Sequence, residues 1–547
     1  MTESGLVNIA HHLPAAAVRN PDGLAIAAYD PSAPDGWHEL SWSQLNRRAD
    51  TIAAGLVAHG WARGDTTLVM VRAGVELISL TFALFKIGAV PVLIDPGMGM
   101  GAFFRCVKQC APRAFIGIPL AHVIRVFVPG AFRSVVRHAT VGRRWFCGGP
   151  TLASFQNTNE AFPVADTRGE DLAAVLFTSG STGAAKGARY THGMFAAQVE
   201  ALGRRFQFRE GEIDCAAFPL FSLFDVAFGM TSVIPPVDPA RPASCDPLAV
   251  AEAVRKYRCT VATGSPAIWR RVGDACLAAG EKLPSLERVL MFGAPIPPSA
   301  HRTWHQVISS GGDVLTPYGA TEALPVAVIG GREVLGTNTE PGTEALTRAG
   351  AGTCVGRPVD DITLRIITIR DEAIPNWSDE LEEEAGVVGE IVVRGLMVTR
   401  EYHELPEATA LAKIRDSDGT IWHRMGDLGY LDEQGRLWFC GRKTERLRTA
   451  EGPLYTDKIE GRFAGYDGVG RVALVGVGPR GQERPVLFVE GPEDPEIARR
   501  IQDTALVAAV LFREKFPVDR RHNAKIHRME LKAEAEARLG GTLARTR

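Results

Sequence analysis

Short hydrophobic runs alternate with longer amphipathic segments along most of the chain. Runs rich in β-branched residues have the length of single strands, and most end at a glycine, an aspartate or a hydroxyl residue. They occupy residues 66–72, 89–95, 172–178, 261–265, 288–293 and 313–319. Two other segments, 41–60 and 247–258, repeat apolar residues at helical spacing, and Ser41 or Ser43 is a suitable N-cap for the first. This alternation predicts an α/β fold with largely parallel sheets, which bind ligands near the carboxyl ends of their strands.

The hydrophobic pattern changes in the last quarter of the chain. After residues 389–395 short strand-like runs dominate, such as 437–441 and 471–477, and a charged helical segment begins near Glu530. A chain of 547 residues also exceeds the size of one ordinary domain. We therefore predict two domains, a large N-terminal one over residues 1–441 and a small C-terminal one over residues 442–547.

Composition and charge exclude several classes of protein. The formal net charge is -2, so no global basic field indicates a nucleic-acid partner. The N-terminus lacks a basic segment followed by an apolar one, which argues against a secretory signal. The longest apolar run, residues 77–94, is interrupted by Lys86 and makes a poor membrane span. Nine cysteines show no paired zinc-site spacing, since Cys106 and Cys110 have no second pair, and a reduced cytoplasmic compartment is expected.

The segment 176–192, LFTSGSTGAAKGARYTH, places small and hydroxylated residues around Lys186 directly after a predicted strand. Backbone N–H groups of a glycine-rich turn, together with hydroxyls and a lysine, can bind phosphate. The Walker pattern needs a glycine before the lysine and Ser or Thr after it. Ala185 and Gly187 stand at those places, which excludes a P-loop NTPase. A flexible surface loop without a ligand is the alternative interpretation.

Residues 178–187, TSGSTGAAKG, resemble the phosphate loop of the adenylate-forming superfamily, which includes acyl-CoA synthetases, firefly luciferases and peptide-synthetase adenylation domains. The resemblance implies an α/β fold with a large N-terminal domain of layered sheets and helices and a small, mobile α+β C-terminal domain. Further matches follow in the family's order, and together they cover nearly the whole chain. They are FGAP at 292–295, which resembles the family's adenine-side turn, YGATE at 318–322, GEIVVRGLMVTREY at 389–402, HRMGDLGYLDEQGRLWFCGR at 423–442 and NAKIHR at 523–528.

The resemblance implies an enzyme that activates a carboxylate with ATP and releases pyrophosphate. Because two anions must approach each other, positive charge and a divalent metal such as Mg²⁺ are needed. Glu322 would bind the Mg²⁺, a hard cation that suits a carboxylate. Lys525 stands where the family keeps its adenylation lysine, which contacts the α-phosphate and the carboxylate oxygens. The alternative is that Lys525 is one cation of a solvated basic tail.

The same resemblance implies a set of nucleotide-binding residues. Lys186 and Thr321 would also act in catalysis, Thr321 at the α-phosphate. Tyr318 would stack on adenine, Asp427 would bind both ribose hydroxyls, and Arg442 would assist at the ribose. The full implied set is Thr178, Ser179, Gly180, Ser181, Thr182, Gly183, Lys186, Gly293, Ala294, Pro295, Tyr318, Gly319, Thr321, Asp427 and Arg442.

Departures from the family pattern bear on the second substrate. Ser222 stands where the family usually has an aromatic residue or histidine beside the acyl carboxylate, and Thr444 stands at the usual Asp or Lys hinge position. The loop 447–460 also lacks the usual glycine-rich form. In thioester-forming members this loop enters the site when the C-terminal domain rotates. The departures indicate a chain that does not use coenzyme A; the alternative is divergence of an ordinary ligase.

One branch of the superfamily that the chain resembles shares these departures, the β-lactone synthetases of bacterial long-chain olefin biosynthesis, which act on 2-alkyl-3-hydroxyalkanoic acids. The substrate's own hydroxyl then attacks the activated carbonyl at high effective concentration and expels AMP. A long-chain fatty acyl-CoA or acyl-AMP ligase is the alternative function, and a non-catalytic member is a third. The residues leave open whether the carboxylate or the hydroxyl oxygen is adenylated. Because a lactone is reactive, assembly with other enzymes of the olefin pathway is expected.

Two regions bear on the acyl chain and on partners. Residues 119–150 contain five arginines, no acidic residue and many apolar side chains. Such a segment could rim an acyl tunnel, dock a partner or contact a membrane peripherally, or simply be a helix packed on the sheet with solvated arginines. A set of four phenylalanines lines either a long-chain pocket or plain core. They are Phe218, Phe221, Phe224 and Phe228.

Overall fold

The computed structural model describes residues 7–156, 160–178, 185–238, 241–337, 339–463, 465–518 and 526–539. The strands in these ranges are β1 Leu24–Tyr29, β2 Trp37–Ser41, β3 Thr66–Met70, β4 Val90–Ile94, β5 Ala114–Gly117, β6 Arg137–Thr140, β7 Leu172–Thr178, β8 Lys186–Thr191, β9 Ile213–Ala216, β10 Thr231–Ile234, β11 Val261–Gly264, β12 Arg288–Met291, β13 Asp313–Ala320, β14 Ala323–Gly330, β15 Thr353–Pro358, β16 Thr363–Ile367, β17 Gly389–Arg394, β18 Lys413–Arg415, β19 Ile421–Leu431, β20 Leu437–Arg442, β21 Leu447–Thr449, β22 Gly452–Leu454, β23 Val472–Val477, β24 Arg484–Glu490 and β25 Ala509–Arg513.

The α-helices of the same ranges are α1 His12–Arg19, α2 Trp42–Ala58, α3 Val75–Ile87, α4 Met100–Cys110, α5 Pro119–Phe127, α6 His192–Phe206, α7 Ser222–Phe228, α8 Pro247–Tyr257, α9 Pro266–Ala278, α10 Pro298–Val307, α11 Gly331–Leu335, α12 Thr343–Arg348, α13 Pro406–Ala412, α14 Thr456–Phe463, α15 Pro495–Gln502 and α16 Arg528–Leu539. Short 3₁₀ turns connect several elements, among them Pro219–Phe221 and Lys443–Glu445.

Two large sheets carry most of the strands. The larger one has 14 strands in the order β16-β17-β19-β20-β15-β14-β13-β12-β11-β9-β10-β1-β2, with β18 beside β19. Its strands β1, β10, β9, β11, β12 and β13 run parallel, and it becomes antiparallel from β13 onward through β20. The second sheet has six strands in the order β6-β5-β3-β4-β7-β8, parallel except for β8. The predicted α/β architecture is therefore confirmed. The prediction of largely parallel sheets holds for the six-stranded sheet but is wrong for the larger one, in which the strands from β13 to β20 pair antiparallel.

The predicted elements lie where the hydrophobic pattern put them. Each of the six predicted strands contains one observed strand, β3, β4, β7, β11, β12 or β13. Ser41 caps α2, since its hydroxyl accepts the Gln44 N–H at 3.3 Å while the Gln44 side chain accepts the Ser41 N–H at 2.8 Å. This reciprocal pair satisfies two donors that the helix leaves unpaired, which fixes where α2 begins.

Helix α3 contains most of the long apolar run at residues 77–94. All but one of its residues are buried, so it behaves as a core helix rather than a surface helix. Its side chains Ile78, Phe82 and Phe85 join one hydrophobic cluster with Ile26 of the larger sheet and Ala173 of the smaller sheet. None of the helices in the described ranges is long and apolar enough to traverse a bilayer.

The chain after Arg442 has hydrophobic clusters of its own. It forms the β21–β22 hairpin and the separate sheet β23-β24-β25, against which α14, α15 and α16 pack. The two clusters on either side of that sheet contain only residues from Leu447 onward. This separation supports the predicted boundary between residues 441 and 442, which stays a prediction.

A buried ion pair crosses the core between α2 and α3. Lys86 is 1% exposed and Asp50 is 3% exposed. The Lys86 ammonium donates to the Asp50 carboxylate and, at 2.7 Å, to the Asn46 side-chain oxygen. Burial lowers the pKa of Lys86, and the Asp50 charge opposes that shift.

Replacing Asp50 with leucine should destabilise the protein by about 3–5 kcal/mol, because it leaves the Lys86 charge buried without its partner. The double variant Asp50→Leu/Lys86→Met removes both charges and should recover most of that loss. Urea unfolding measures both effects. A double variant as unstable as the single one would show that the loss comes from packing rather than from the charge.

Candidate active site

The motif YGATE forms the turn between β13 and β14. Thr321 and Glu322 are the two residues at its tip, between the paired Ala320 and Ala323. The pairing is irregular here, and a Cβ at Gly319 would lie 2.6 Å from the Ala323 carbonyl oxygen. Only glycine fits this position without displacing the backbone, so the motif glycine fixes the shape of the turn.

Hydrogen bonds from two directions hold this hairpin tip. The Tyr190 hydroxyl, on β8 of the smaller sheet, donates to the Thr321 carbonyl oxygen. The Thr399 N–H donates to the Glu322 carbonyl oxygen at 2.9 Å. The Tyr402 hydroxyl donates to Glu322 Oε1 at 2.7 Å. The tip is thereby fixed between the two sheets, and the buried Glu322 carboxylate has a defined orientation.

Lys186 contacts Tyr402, the side chain that donates to this carboxylate. It pairs with Thr178 where β7 ends and β8 begins. The Lys186 Nζ lies 4.9 Å from the centre of the Tyr402 ring, close enough for a cation–π contact. Tyr402 is held in place because the next residue, His403, donates its N–H to the Gly187 carbonyl oxygen at 2.7 Å. The structure therefore brings Thr178, Lys186 and Glu322 into one region.

Six of the candidate residues lie outside the described residues, and their predicted roles stay predictions. They are Ser179, Gly180, Ser181, Thr182, Gly183 and Lys525.

A second polar cluster forms around Asp427, which is 3% exposed. The Tyr318 hydroxyl donates to Asp427 Oδ2 at 2.6 Å, and Arg442, directly opposite on β20, donates to Oδ1 at 2.5 Å. Burial raises the pKa of Asp427, and the Arg442 charge and the Tyr318 hydrogen bond oppose the rise. A carboxylate has about four lone-pair positions. Two remain to accept the hydroxyls of a ribose, so the cluster fits that role.

The turn predicted to flank adenine follows β12. Gly293 has a φ of 91°, in the left-handed region that favours glycine, and Ala294 and Pro295 continue the turn. Because β12 runs parallel to β13 with Leu290 opposite Leu315, the turn lies beside the end of β13 that carries Tyr318. The adenine-side candidates are therefore neighbours in the structure.

A chain of aromatic side chains joins this turn to the hairpin tip. Phe292 lies 5.7 Å from Phe218 and 6.1 Å from Phe221, measured between ring centres. Phe221 contacts Phe224 at 5.6 Å, and Phe224 contacts Phe195 at 6.3 Å, next to Tyr190. Phe228 instead packs on Phe208 at 5.0 Å. A long-chain pocket along Phe218, Phe221 and Phe224 stays a prediction.

Ser222 lies beneath these rings and is fully buried. Its hydroxyl oxygen accepts a hydrogen bond from the Ser232 hydroxyl at 2.6 Å. Two carboxyl groups lie nearby, Asp225 on α7 and Asp214 on β9, and the Thr263 hydroxyl donates to Asp214 at 2.6 Å. Burial raises the pKa of both carboxyls, and their mutual repulsion raises that of Asp225 further. No sequence motif marked this carboxyl pair.

Lys413 is the main site residue that sequence reasoning missed. It is 6% exposed, its Nζ donates to the Thr399 carbonyl oxygen and, at 3.2 Å, to Thr399 Oγ1, and it lies 5.8 Å from the centre of the Tyr402 ring. Burial lowers the pKa of Lys413 to about 7; the Glu322 charge opposes this shift and the Lys186 charge adds to it. The available signal was a single lysine among apolar residues in ALAKI at 410–414.

The donor set around Glu322 fits a shared Mg²⁺ rather than a protein-only metal centre. Within the described ranges no group of three or more His, Cys, Asp or Glu side chains could hold a metal ion. Mg²⁺ commonly binds one or two carboxylates and completes its shell with phosphate oxygens and water. Glu322 could supply the protein ligand, while the nucleotide supplies the others.

Replacing Asp427 with asparagine should weaken ATP binding at least about tenfold, since hydrogen bonds to a charged group contribute about 1.5–3 kcal/mol. Calorimetric titration with a non-hydrolysable ATP analogue measures the change. Asp432→Asn is the matched control, because Asp432 also bonds an arginine and an aromatic side chain of the same strand pair, Arg436 and Trp438. Equal losses in both variants would remove Asp427 from the nucleotide site.

The chain is similar to known proteins over nearly its whole length. The olefin beta-lactone synthetase of Stenotrophomonas maltophilia is 46% identical, over 97% of this chain and 98% of that protein. The protein of the same name from Xanthomonas campestris pv. campestris is 45% identical, over 96% of this chain and 97% of that protein. The crystal structure of ATP-bound MatB from Rhodopseudomonas palustris has a TM-score of 0.76 at 21% identity and covers 97% of this chain and 99% of that chain.

The MatB likeness concerns the fold alone. Together with a family match, it confirms the α/β fold of adenylate-forming enzymes that the motifs predicted. Residues 13–403 match the family described as AMP-binding enzyme. That match takes in the phosphate loop and the β13–β14 hairpin with its buried carboxylate. The chain therefore belongs to the AMP-binding enzyme family.

Proposed function

We propose that this enzyme uses ATP to close a long-chain 2-alkyl-3-hydroxy acid into a β-lactone, with release of AMP and pyrophosphate. The observation that carries the proposal is the identity of 45% to 46% with two proteins named olefin beta-lactone synthetase, over nearly the whole chain. The polar clusters at Glu322 and Asp427 supply sites for the two ends of the nucleotide. The alternative, a long-chain acyl-CoA or acyl-AMP ligase, would use the same nucleotide site.

In the proposed reaction a carboxylate oxygen of the substrate attacks the α-phosphorus of ATP, and pyrophosphate leaves. The substrate's 3-hydroxyl oxygen then attacks the acyl carbon, its proton passes to a base, and AMP leaves with the carboxylate oxygen that attacked phosphorus, while the other oxygen becomes the lactone carbonyl. Ring strain is offset by the cleavage of ATP. Mg²⁺ bound at Glu322 would neutralise phosphate charge. Lys186 adds positive charge beside it, while Asp427 and Arg442 hold the ribose end.

Ion pairs at the predicted domain boundary favour lactone closure over thioester formation. Glu390, which is fully buried, pairs with Arg424 at 2.7 Å and with Lys443 at 2.8 Å. Lys443 lies immediately before the departure at Thr444. A second set joins Asp371 to three arginines beyond the boundary. These are Arg446 at 2.9 Å, Arg448 at 2.7 Å and Arg480 at 2.6 Å.

A thioester-forming cycle would break such pairs each time the C-terminal domain rotated. Separating Lys443 from Glu390 would be costly because the buried carboxylate would keep only one of its two cationic partners, Arg424. An internal hydroxyl nucleophile needs no entry of a thiol and hence no such rotation. The ion pairs thus support a reaction completed in one arrangement of the chain.

The lactone product bears on partners. We propose that it passes to other enzymes of the same pathway, since a strained ring is chemically reactive.

Location in the cytoplasm is proposed from the cysteines, all nine of which are free.

Pyrophosphate release with Mg·ATP tests the function directly. The substrates are two long-chain acids that differ only in a 3-hydroxyl group, each with and without coenzyme A. We expect turnover of the hydroxy acid alone, independent of coenzyme A, with a β-lactone as product. Turnover of the plain acid that depends on coenzyme A would instead establish an acyl-CoA ligase. With ¹⁸O in the carboxylate, label in AMP would identify that oxygen as the one adenylated.

Replacing Lys413 with methionine should lower kcat/KM for ATP by about 10–100-fold and raise the Mg²⁺ concentration needed for half-maximal rate. Groups that orient a metal ligand typically have effects of this size, and Lys413 holds Thr399 and Tyr402 against Glu322. Pyrophosphate release over a matrix of ATP and Mg²⁺ concentrations measures both.

Lys458→Met is the control for Lys413→Met, because Lys458 also lies over a tyrosine ring, that of Tyr430 at 5.4 Å. It should leave the Mg²⁺ dependence unchanged. An unaltered Mg²⁺ dependence in Lys413→Met would contradict the assigned role of Lys413.

A further inference from the structure

Exposed apolar side chains are concentrated in one short part of the chain. Of 17 large hydrophobic side chains that are exposed in the described residues, six lie between residues 120 and 146. Phe127 at 78%, Phe146 at 79% and Trp145 at 52% exposure are the only phenylalanines and tryptophan in that set. Exposed aromatic groups grouped in this way indicate an interaction site rather than scattered surface residues.

These side chains come from two elements that pack together. Helix α5 carries Leu120 and Phe127, seven residues apart and hence on one face. The His122 Nε2 of the same helix lies 3.0 Å from the carbonyl oxygen of Ala139 on β6. The loop after β6 returns to the helix, since a Cβ at Gly148 would lie 3.2 Å from the His122 ring. Trp145 and Phe146 belong to this loop, so they neighbour α5.

The charge of this region has a single sign. Arg133, Arg143 and Arg144 are exposed, and residues 119–150 contain no aspartate or glutamate. None of the three forms an ion pair with a carboxylate in the part of the chain that the structure describes. By contrast, Arg137 is held by Asp65 at 2.8 Å. Three arginines therefore stay available to an external anion.

The position in the sheet separates this region from the nucleotide site. Strand β6 is one outer strand of the six-stranded sheet, and β8, which begins at Lys186, is the other. Strands about 4.8 Å apart place the two edges on the order of 20 Å from each other. The region is thus not a rim of the site beside Lys186, and its exposed groups need another explanation.

We propose that the surface formed by Leu120, Val126, Phe127, Trp145 and Phe146 with Arg133, Arg143 and Arg144, here called the α5–β6 surface, binds the face of an anionic lipid bilayer. The aromatic and aliphatic side chains enter the interface while the arginines contact lipid phosphates. The three arginines without a carboxylate partner favour a lipid surface over a protein partner. A bilayer of anionic lipids presents many negative groups and does not require the arginines to adopt one fixed geometry. Binding is peripheral and reversible, since it uses only side chains of one helix and the loops beside it.

Vesicle binding of the full-length protein, without nucleotide or acid, tests the proposal independently of the enzymatic activity. We expect binding to vesicles of phosphatidylglycerol and phosphatidylcholine, weak binding to phosphatidylcholine alone, and loss of binding at high salt. Brominated lipid should quench tryptophan fluorescence, because Trp145 is the exposed tryptophan in the described residues. The double variant Arg143→Gln/Arg144→Gln should lower the partition coefficient at least about tenfold.

Matched variants separate the α5–β6 surface from general effects of charge and hydrophobicity. Phe127→Ser/Phe146→Ser should abolish quenching, whereas Val18→Ser/Met529→Ser, at positions 83% and 77% exposed, should not. Arg241→Gln/Arg499→Gln removes two exposed charges elsewhere and should leave binding intact. Equal binding to both kinds of vesicle, or concentration-dependent self-association that the phenylalanine variant removes, would overturn the proposal.

Discussion

The buried carboxylate of Glu322 is the constraint on which the rest of the site depends. Moving an ionised carboxylate out of water costs several kcal/mol unless hydrogen bonds and opposite charges compensate. Here the Tyr402 hydroxyl donates to it, and the ammonium groups of Lys186 and Lys413 both lie near the Tyr402 ring. These groups come from β8, from the segment after β17 and from β18. The two-sheet architecture is what brings them together.

In the second polar cluster a buried carboxylate, Asp427, is also compensated, but by different side chains. Asp427 is more deeply buried than Glu322, and its charge is compensated by Arg442 and Tyr318 rather than by lysines. An arginine has a fixed fork of donors, whereas a lysine is a mobile point charge. The Asp427 end is therefore the more rigid of the two. Rigid geometry suits a ribose of constant shape, and mobile charge suits phosphates that change position during a reaction.

Much of the architecture could be predicted because its signals are local. Strand β7 and the cap of α2 at Ser41 follow from side-chain spacing and one hydroxyl. The motif around Glu322 was recognisable for the same reason, since five consecutive residues define the turn. Lys413 was not predictable, because its partner Thr399 lies 14 residues away in the segment after β17, and Lys413 itself is placed by the pairing of β18 with β19. Likewise, Tyr190 reaches Thr321 across 131 residues.

The β13–β14 hairpin joins the two ends of the nucleotide site by covalent geometry. Tyr318 lies on its first strand and Glu322 at its tip, so four residues of continuous backbone set the spacing between them. A motion elsewhere in the protein would carry both together and could not change that interval. In the proposed nucleotide site, the hairpin would set the distance between the group at the base and the group at the phosphates. Selection would then depend on the length of the phosphate chain as well as on the identity of the base.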